Sequence, residues 1–134
     1  MKLRMRNERG QATVEFALIL PLLLFLLLGI IELAKAWNLS QVATDAVREG
    51  TRRCVIADAA ITKDMVEVDI KNRMAAAGVP AAASQVEFTP NDATACDAST
   101  LPVTITLRVG YSWMFLRPVL KPITLVSSFT MRNE

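Results

Sequence analysis

The chain has 134 residues, 52% of them hydrophobic and 21% charged, with 15 Lys and Arg against 13 Asp and Glu for a net charge of +2. That length admits one membrane segment and one small domain but not two independent cores. No histidine is present, so the commonest general base and metal ligand is missing. From Asn38 onward the charges cancel, which leaves no electrostatic footprint for nucleic acid.

The chain opens on a basic leader, residues 1–10, in which Lys2, Arg4, Arg6 and Arg9 outweigh Glu8. Behind it Gln11 to Ile31 reads as a span: at roughly 1.5 Å per residue it is about 31 Å long, close to the hydrocarbon thickness of a bilayer. It is that long only if Glu15 lies inside it. A carboxylate in that setting costs on the order of 2.5 to 3.5 kcal/mol, which marks it for function and calls for a cationic partner. The alternative is that Glu15 only reaches toward the interface. We take residues 11–37 as the transmembrane helix, with Trp37 either anchoring at the headgroups or packing under the following domain. Because the basic residues precede the span, the expected topology has the N-terminus in the cytoplasm and residues 38–134 as an extracytoplasmic domain. The small residues Gly10 and Ala12 precede the apolar core instead of following it, so any cut there would leave the span attached.

Pro21 lies within the helical run and predicts a kink. Past the span the pattern continues, with Leu39, Val42, Ala43, Ala46 and Gly50 at spacings of three and four. One helix therefore runs from the membrane into the domain, and Gly50 either ends it or permits close packing. Glu32 and Lys35 read as a solvated helix pair. Arg48, Glu49, Arg52 and Arg53 read as a solvated face, with a docking patch as the alternative.

Thr62 to Ala77 predicts a second helix, with acids early, bases late, Gly78 and Pro80 as stops, and Val66, Ile70, Met74 and Ala77 as its buried stripe. A short strand, Gln85 to Thr89, follows, then a polar loop from Asn91 to Thr100. Val103 to Tyr111 alternates apolar and polar and is the clearest strand, and Ile123 to Met131 alternates again. The connection between them holds Tyr111, Trp113, Phe115, Leu116, Val119 and Leu120. We expect it to pack into the core, with an exposed tip touching membrane or a partner as the alternative. The fold class is α+β: a long N-terminal transmembrane helix continuing into a small domain with a second helix and a short antiparallel sheet.

Cys54 and Cys96 both fall on the extracytoplasmic side, where an oxidising compartment favours pairing. A disulfide between them would close a loop of about 43 residues and stabilise by roughly 4 kcal/mol; two buried free thiols are the alternative. Asp58, Asp64, Glu67 and Asp69 lack the loop spacing of a calcium site. No catalytic, metal or cofactor residues are nominated, and the chain is expected not to be an enzyme.

The basic leader, Gly10, Glu15 five residues later, Phe16 and a leucine-rich run resemble the processing site of type IV prepilins. More specifically, RGQATVEFALILPLLL, REGTRR at Arg48 to Arg53 and the closing MRNE resemble the TadE-like pseudopilins of tight-adherence pilus systems. The resemblance implies a pilin-like fold in the bacterial inner membrane and a prepilin peptidase that cuts between Gly10 and Gln11. It also implies a minor, non-enzymatic role in pilus assembly alongside other pilins or platform proteins. Glu15 would then assist recognition before the cut and pair afterwards with the new ammonium of Gln11. A different reading of the same residues is an uncleaved, signal-anchored envelope binding or adhesive module.

Overall fold

A computed structural model describes residues 8–56, 61–90, 96 and 102–132. The leader residues Lys2, Arg4 and Arg6, Asp58, the loop 91–100 apart from Cys96, and the last two residues of MRNE lie outside that description.

One helix, α1 (Glu8–Val55), carries the whole chain. It passes through Pro21 as a single element. It contains an 18-residue window of mean hydropathy 2.8, none of it buried, and is long and apolar enough to cross a membrane. Beyond the apolar run one stripe is covered: Glu32, Ala36, Leu39, Ala43, Ala46, Val47, Gly50, Thr51 and Cys54, at the helical spacing of three and four. The packed face begins at Glu32.

The second helix, α2 (Lys63–Ala76), begins at Thr62, whose hydroxyl accepts from the Met65 amide at 3.4 Å. Past its last residue the chain turns at Gly78, whose φ of +85° favours glycine. Val66, Ile70 and Met74 form its buried stripe. Ala77, expected in that stripe, is exposed: the helix has already ended there, and the chain turns so that Val79 fills the place.

A short 3-10 turn, Ala81–Ala83, leads into strands β1 (Ser84–Thr89), β2 (Val103–Tyr111) and β3 (Ile123–Met131), an antiparallel sheet of order β1-β2-β3. The register pairs Phe88 with Ile105 and Ile105 with Phe129, so the alternating apolar residues share one face. That face lies on α1. Val103, Ile105, Leu107 and Val109 are buried there together with Phe88, Val47 and Ile70 in one core.

The helices meet closely because of Gly50. A Cβ at that position would stand 2.8 Å from Ile70 Cδ1 and 3.2 Å from Val66 Cγ1. Of the two roles expected for this glycine, the close approach is the one it has. Thr51 beside it donates to Val47 O at 2.8 Å, satisfying a buried hydroxyl. The Cys54–Cys96 disulfide ties the end of α1 to the segment before β2.

Candidate functional site

Two places on α1 carry chemistry. At its N-terminal end Gly10, Gln11 and Glu15 are all exposed and lie in continuous helix. Gly10, Gln11, Val14, Glu15 and Leu18 line one shallow, open concavity along the helix. Gln11 and Glu15 are four apart and share a face, and a helical side chain leans toward the N-terminus, so the Glu15 carboxylate is directed back toward the backbone of Gln11. The Gly10–Gln11 bond lies within the helix, on its exposed surface. Among the described residues no side chain approaches within 4 Å of a Cβ placed on Gly10.

The second place is Glu32, one residue beyond the apolar run. It is fully buried, the opposite of the solvated pair expected from its spacing to Lys35. Its Oε1 accepts from the amides of Met114 at 2.7 Å and Phe115 at 2.6 Å, and Oε2 accepts from the Tyr111 hydroxyl at 2.9 Å. Three charge-assisted bonds thus clamp the β2–β3 connection onto the helix. Lys35 is turned to the same connection, its Nζ 3.6 Å from Met114 Sδ and 5.5 Å from the centre of the Phe115 ring. Burial, and then the bond to Glu32, push the Tyr111 hydroxyl up to about 12.

One sequence signal does point to Glu32. Extending the covered stripe backward from Leu39 by three and then four residues gives Ala36 and Glu32, so the same periodicity that placed the core also places this carboxylate under the domain.

The connection itself departs from the expected core packing. Tyr111 and Trp113 are half-buried and stack edge to face at 5.3 Å, but Met114, Phe115, Val119 and Leu120 are exposed. The polar backbone of a short turn cannot be sunk into a core this small, and Glu32 holds it at the edge of the sheet instead.

Arg53 pairs with Glu49 at 3.2 Å and with Asp69 of α2 at 3.3 Å, and Arg48 stands 5.7 Å from the Phe129 ring centre. These bases join α1 to its neighbours, while Arg52 faces solvent. Glu67 and Asp69 are engaged by Lys71 and Arg73. Among the described residues no group of three or more His, Cys, Asp or Glu could hold a metal ion.

Residues 10–52 match the family model described as TadE-like protein. The similarity is confined to the long helix. The match begins at Gly10, takes in Gln11, Glu15 and Glu32, and stops before Cys54. The second helix, the sheet and the connection that Glu32 holds all lie beyond the TadE-like segment. Comparison with curated proteins and with solved structures finds no match.

Proposed function

We propose that the chain is a minor, TadE-like pseudopilin that takes part in assembly of a tight-adherence pilus. It inserts through α1 with the N-terminus in the cytoplasm, and a prepilin peptidase cuts between Gly10 and Gln11. The observation that carries this reading is the coincidence at Gly10. The family match starts there, the basic leader ends there, and Glu15 lies one helical turn beyond the residue that cleavage would make N-terminal.

The physics supports the sequence of events. The bond to be cut is exposed, and a Cβ placed on Gly10 would meet nothing within 4 Å among the described residues, so its neighbourhood is open to a peptidase. Once trimmed, α1 starts at Gln11 with a free ammonium added to the positive end of the helix dipole. Both favour a carboxylate close by. Glu15 then finds its cation on its own chain or on a neighbour's, and in hydrocarbon an unneutralised carboxylate is costly enough for that pairing to set the register between subunits. The enzyme in this scheme is the peptidase; the chain contributes a substrate sequence, an anchor and a docking domain.

Mass spectrometry of the membrane-extracted protein from its own host tests the reading. An N-terminus at Gln11 is expected. Glu15→Ala should still insert but should impair pilus assembly. A natural form that retains Met1 to Gly10 refutes the proposal.

A further inference from the structure

The β2–β3 connection, residues 112–122, presents an unusual surface. Met114 is 69% exposed, Phe115 45%, Val119 68% and Leu120 40%, and Arg117 and Lys121 lie between and beside them. The loop is bonded to itself: the Trp113 indole donates to Lys121 O at 2.8 Å, and the amides of Val119 and Leu120 both donate to Leu116 O. Four exposed apolar side chains on a loop bonded so firmly to itself ask for a covering surface.

Glu32 fixes the height of this loop. The amides of Met114 and Phe115 sit on its carboxylate, and Glu32 directly follows Ile31, the last residue of the apolar run. Residues 32–35 span less than one turn, about 5 Å along the axis. The headgroup layer on each side of a bilayer is of similar depth, roughly 5 to 8 Å. When α1 crosses a membrane, the loop is therefore level with the headgroups.

The residue types at that level agree. Tyr111 and Trp113 fall in this band and Trp37 lies at its outer limit, about 9 Å past Ile31, and together they are all of the chain's tryptophan and tyrosine, whose amphipathic rings collect at membrane interfaces. Trp37 is 68% exposed on the helix five residues past Glu32. The cations Lys35, Arg117 and Lys121 accompany them, and the single acid among them, Glu32, is buried and satisfied.

We propose that the β2–β3 connection is a second membrane contact, seated in the headgroup layer on the domain's side of the bilayer. Met114, Phe115, Val119 and Leu120 enter the acyl boundary, and Arg117 and Lys121 face the phosphates of anionic phospholipids. Glu32 is the positioning residue, since it fastens the loop to the helix at the depth where lipid begins. The domain is thereby held against the membrane along one edge instead of standing free on a stalk. The inference rests on the reading of α1 as a span, but not on cleavage or on pilus assembly.

The full chain, with Trp37→Phe and Trp113→Phe, is reconstituted in nanodiscs of phosphatidylcholine and phosphatidylglycerol, and a single tryptophan is placed at Leu24, Val119 or Ser128. Lipids brominated near the headgroup or in mid-chain quench its emission. Leu24→Trp should respond to mid-chain bromine, Val119→Trp as strongly to bromine near the headgroup, and Ser128→Trp to neither. Val119→Trp behaving like Ser128→Trp while Leu24→Trp is quenched overturns the proposal and leaves the span intact. Loss of quenching at Leu24 overturns both. In the otherwise unaltered chain, a photoreactive p-benzoylphenylalanine at Phe115 should form lipid adducts in the native membrane; an adduct to a neighbouring protein in place of lipid overturns the proposal in favour of a subunit interface.

Discussion

Placing a methyl group on Gly50 tests the account of how α1 and α2 meet. In an exposed helix Gly→Ala gains about 1 kcal/mol of helix propensity. Here the new Cβ would lie 2.8 Å from Ile70 Cδ1 and 3.2 Å from both Ile70 Cγ1 and Val66 Cγ1. Ile70 is fully buried, so its terminal methyl has nowhere to retreat, and overpacking of this kind costs about 1 to 3 kcal/mol. The overpacking wins, leaving Gly50→Ala about 1 kcal/mol less stable than the parent. Ile70→Val alone removes Cδ1 from a filled site and costs about 1 kcal/mol. Combined, the two changes relieve each other: the worst contact disappears with Cδ1, the remaining ones need only a few tenths of an ångström, and the propensity gain is realised. The double variant should be no less stable than Ile70→Val, a coupling of about 1 to 2 kcal/mol in favour of the pair. Denaturant unfolding of the full chain in mild detergent, followed by the near-ultraviolet signal of the Tyr111–Trp113 pair, measures all four corners of the cycle. Additivity within about 0.5 kcal/mol, or a Gly50→Ala variant more stable than the parent, would refute the close-packing argument.

Two further expectations concern the domain's edges. Replacing Cys54 and Cys96 by serine, or reducing the bond, should remove roughly 4 kcal/mol, a large share of a small domain's stability, and lower the denaturation midpoint accordingly. An unchanged midpoint in reductant would show that the loop it closes is already constrained by other contacts. Tyr111 is the chain's only tyrosine, so alkaline absorbance titration reads it alone. Its folded value of about 12 lies above the ordinary 10.0, so the stability it contributes is complete below pH 10 and is lost as pH rises from 10 toward 12. Glu32→Gln should lower the titration midpoint without restoring the ordinary value, because burial is the larger cause; a midpoint at 10.0 in the parent would refute the buried Tyr111–Glu32 bond.

The regular elements were legible because each shows a period. The strand Val103 to Tyr111 alternates polarity along its whole length, Ile123 to Met131 does so except at Val126 and Ser127, and both match their observed limits. α1 holds a stripe at spacings of three and four. α2 carries a capping threonine and a stop glycine, and only Ala77 was misplaced, at the boundary where a helical pattern and a turn look alike. Glu15 stands out in the sequence because a carboxylate within an apolar run differs from its neighbours. Glu32 was legible only as the backward extension of the Leu39 stripe, because it stands three positions before Lys35 and a surface ion pair explains that spacing equally well. Its partners, Tyr111 and the amides of Met114 and Phe115, lie some eighty residues away, and no local pattern names them.

The amino-acid order alone determined what depends on short range: a helix long and apolar enough to span a bilayer, a single acid within it, two thiols placed to pair, and two amphipathic strands. Tertiary structure decided what depends on distance across the fold. It turned Gly50 into the contact between two helices, made Glu32 a buried clamp, and left the β2–β3 loop exposed beside the end of the span. Periodicity reports which face of an element is apolar, whereas the partner of a buried charge is set by how the whole chain closes upon itself.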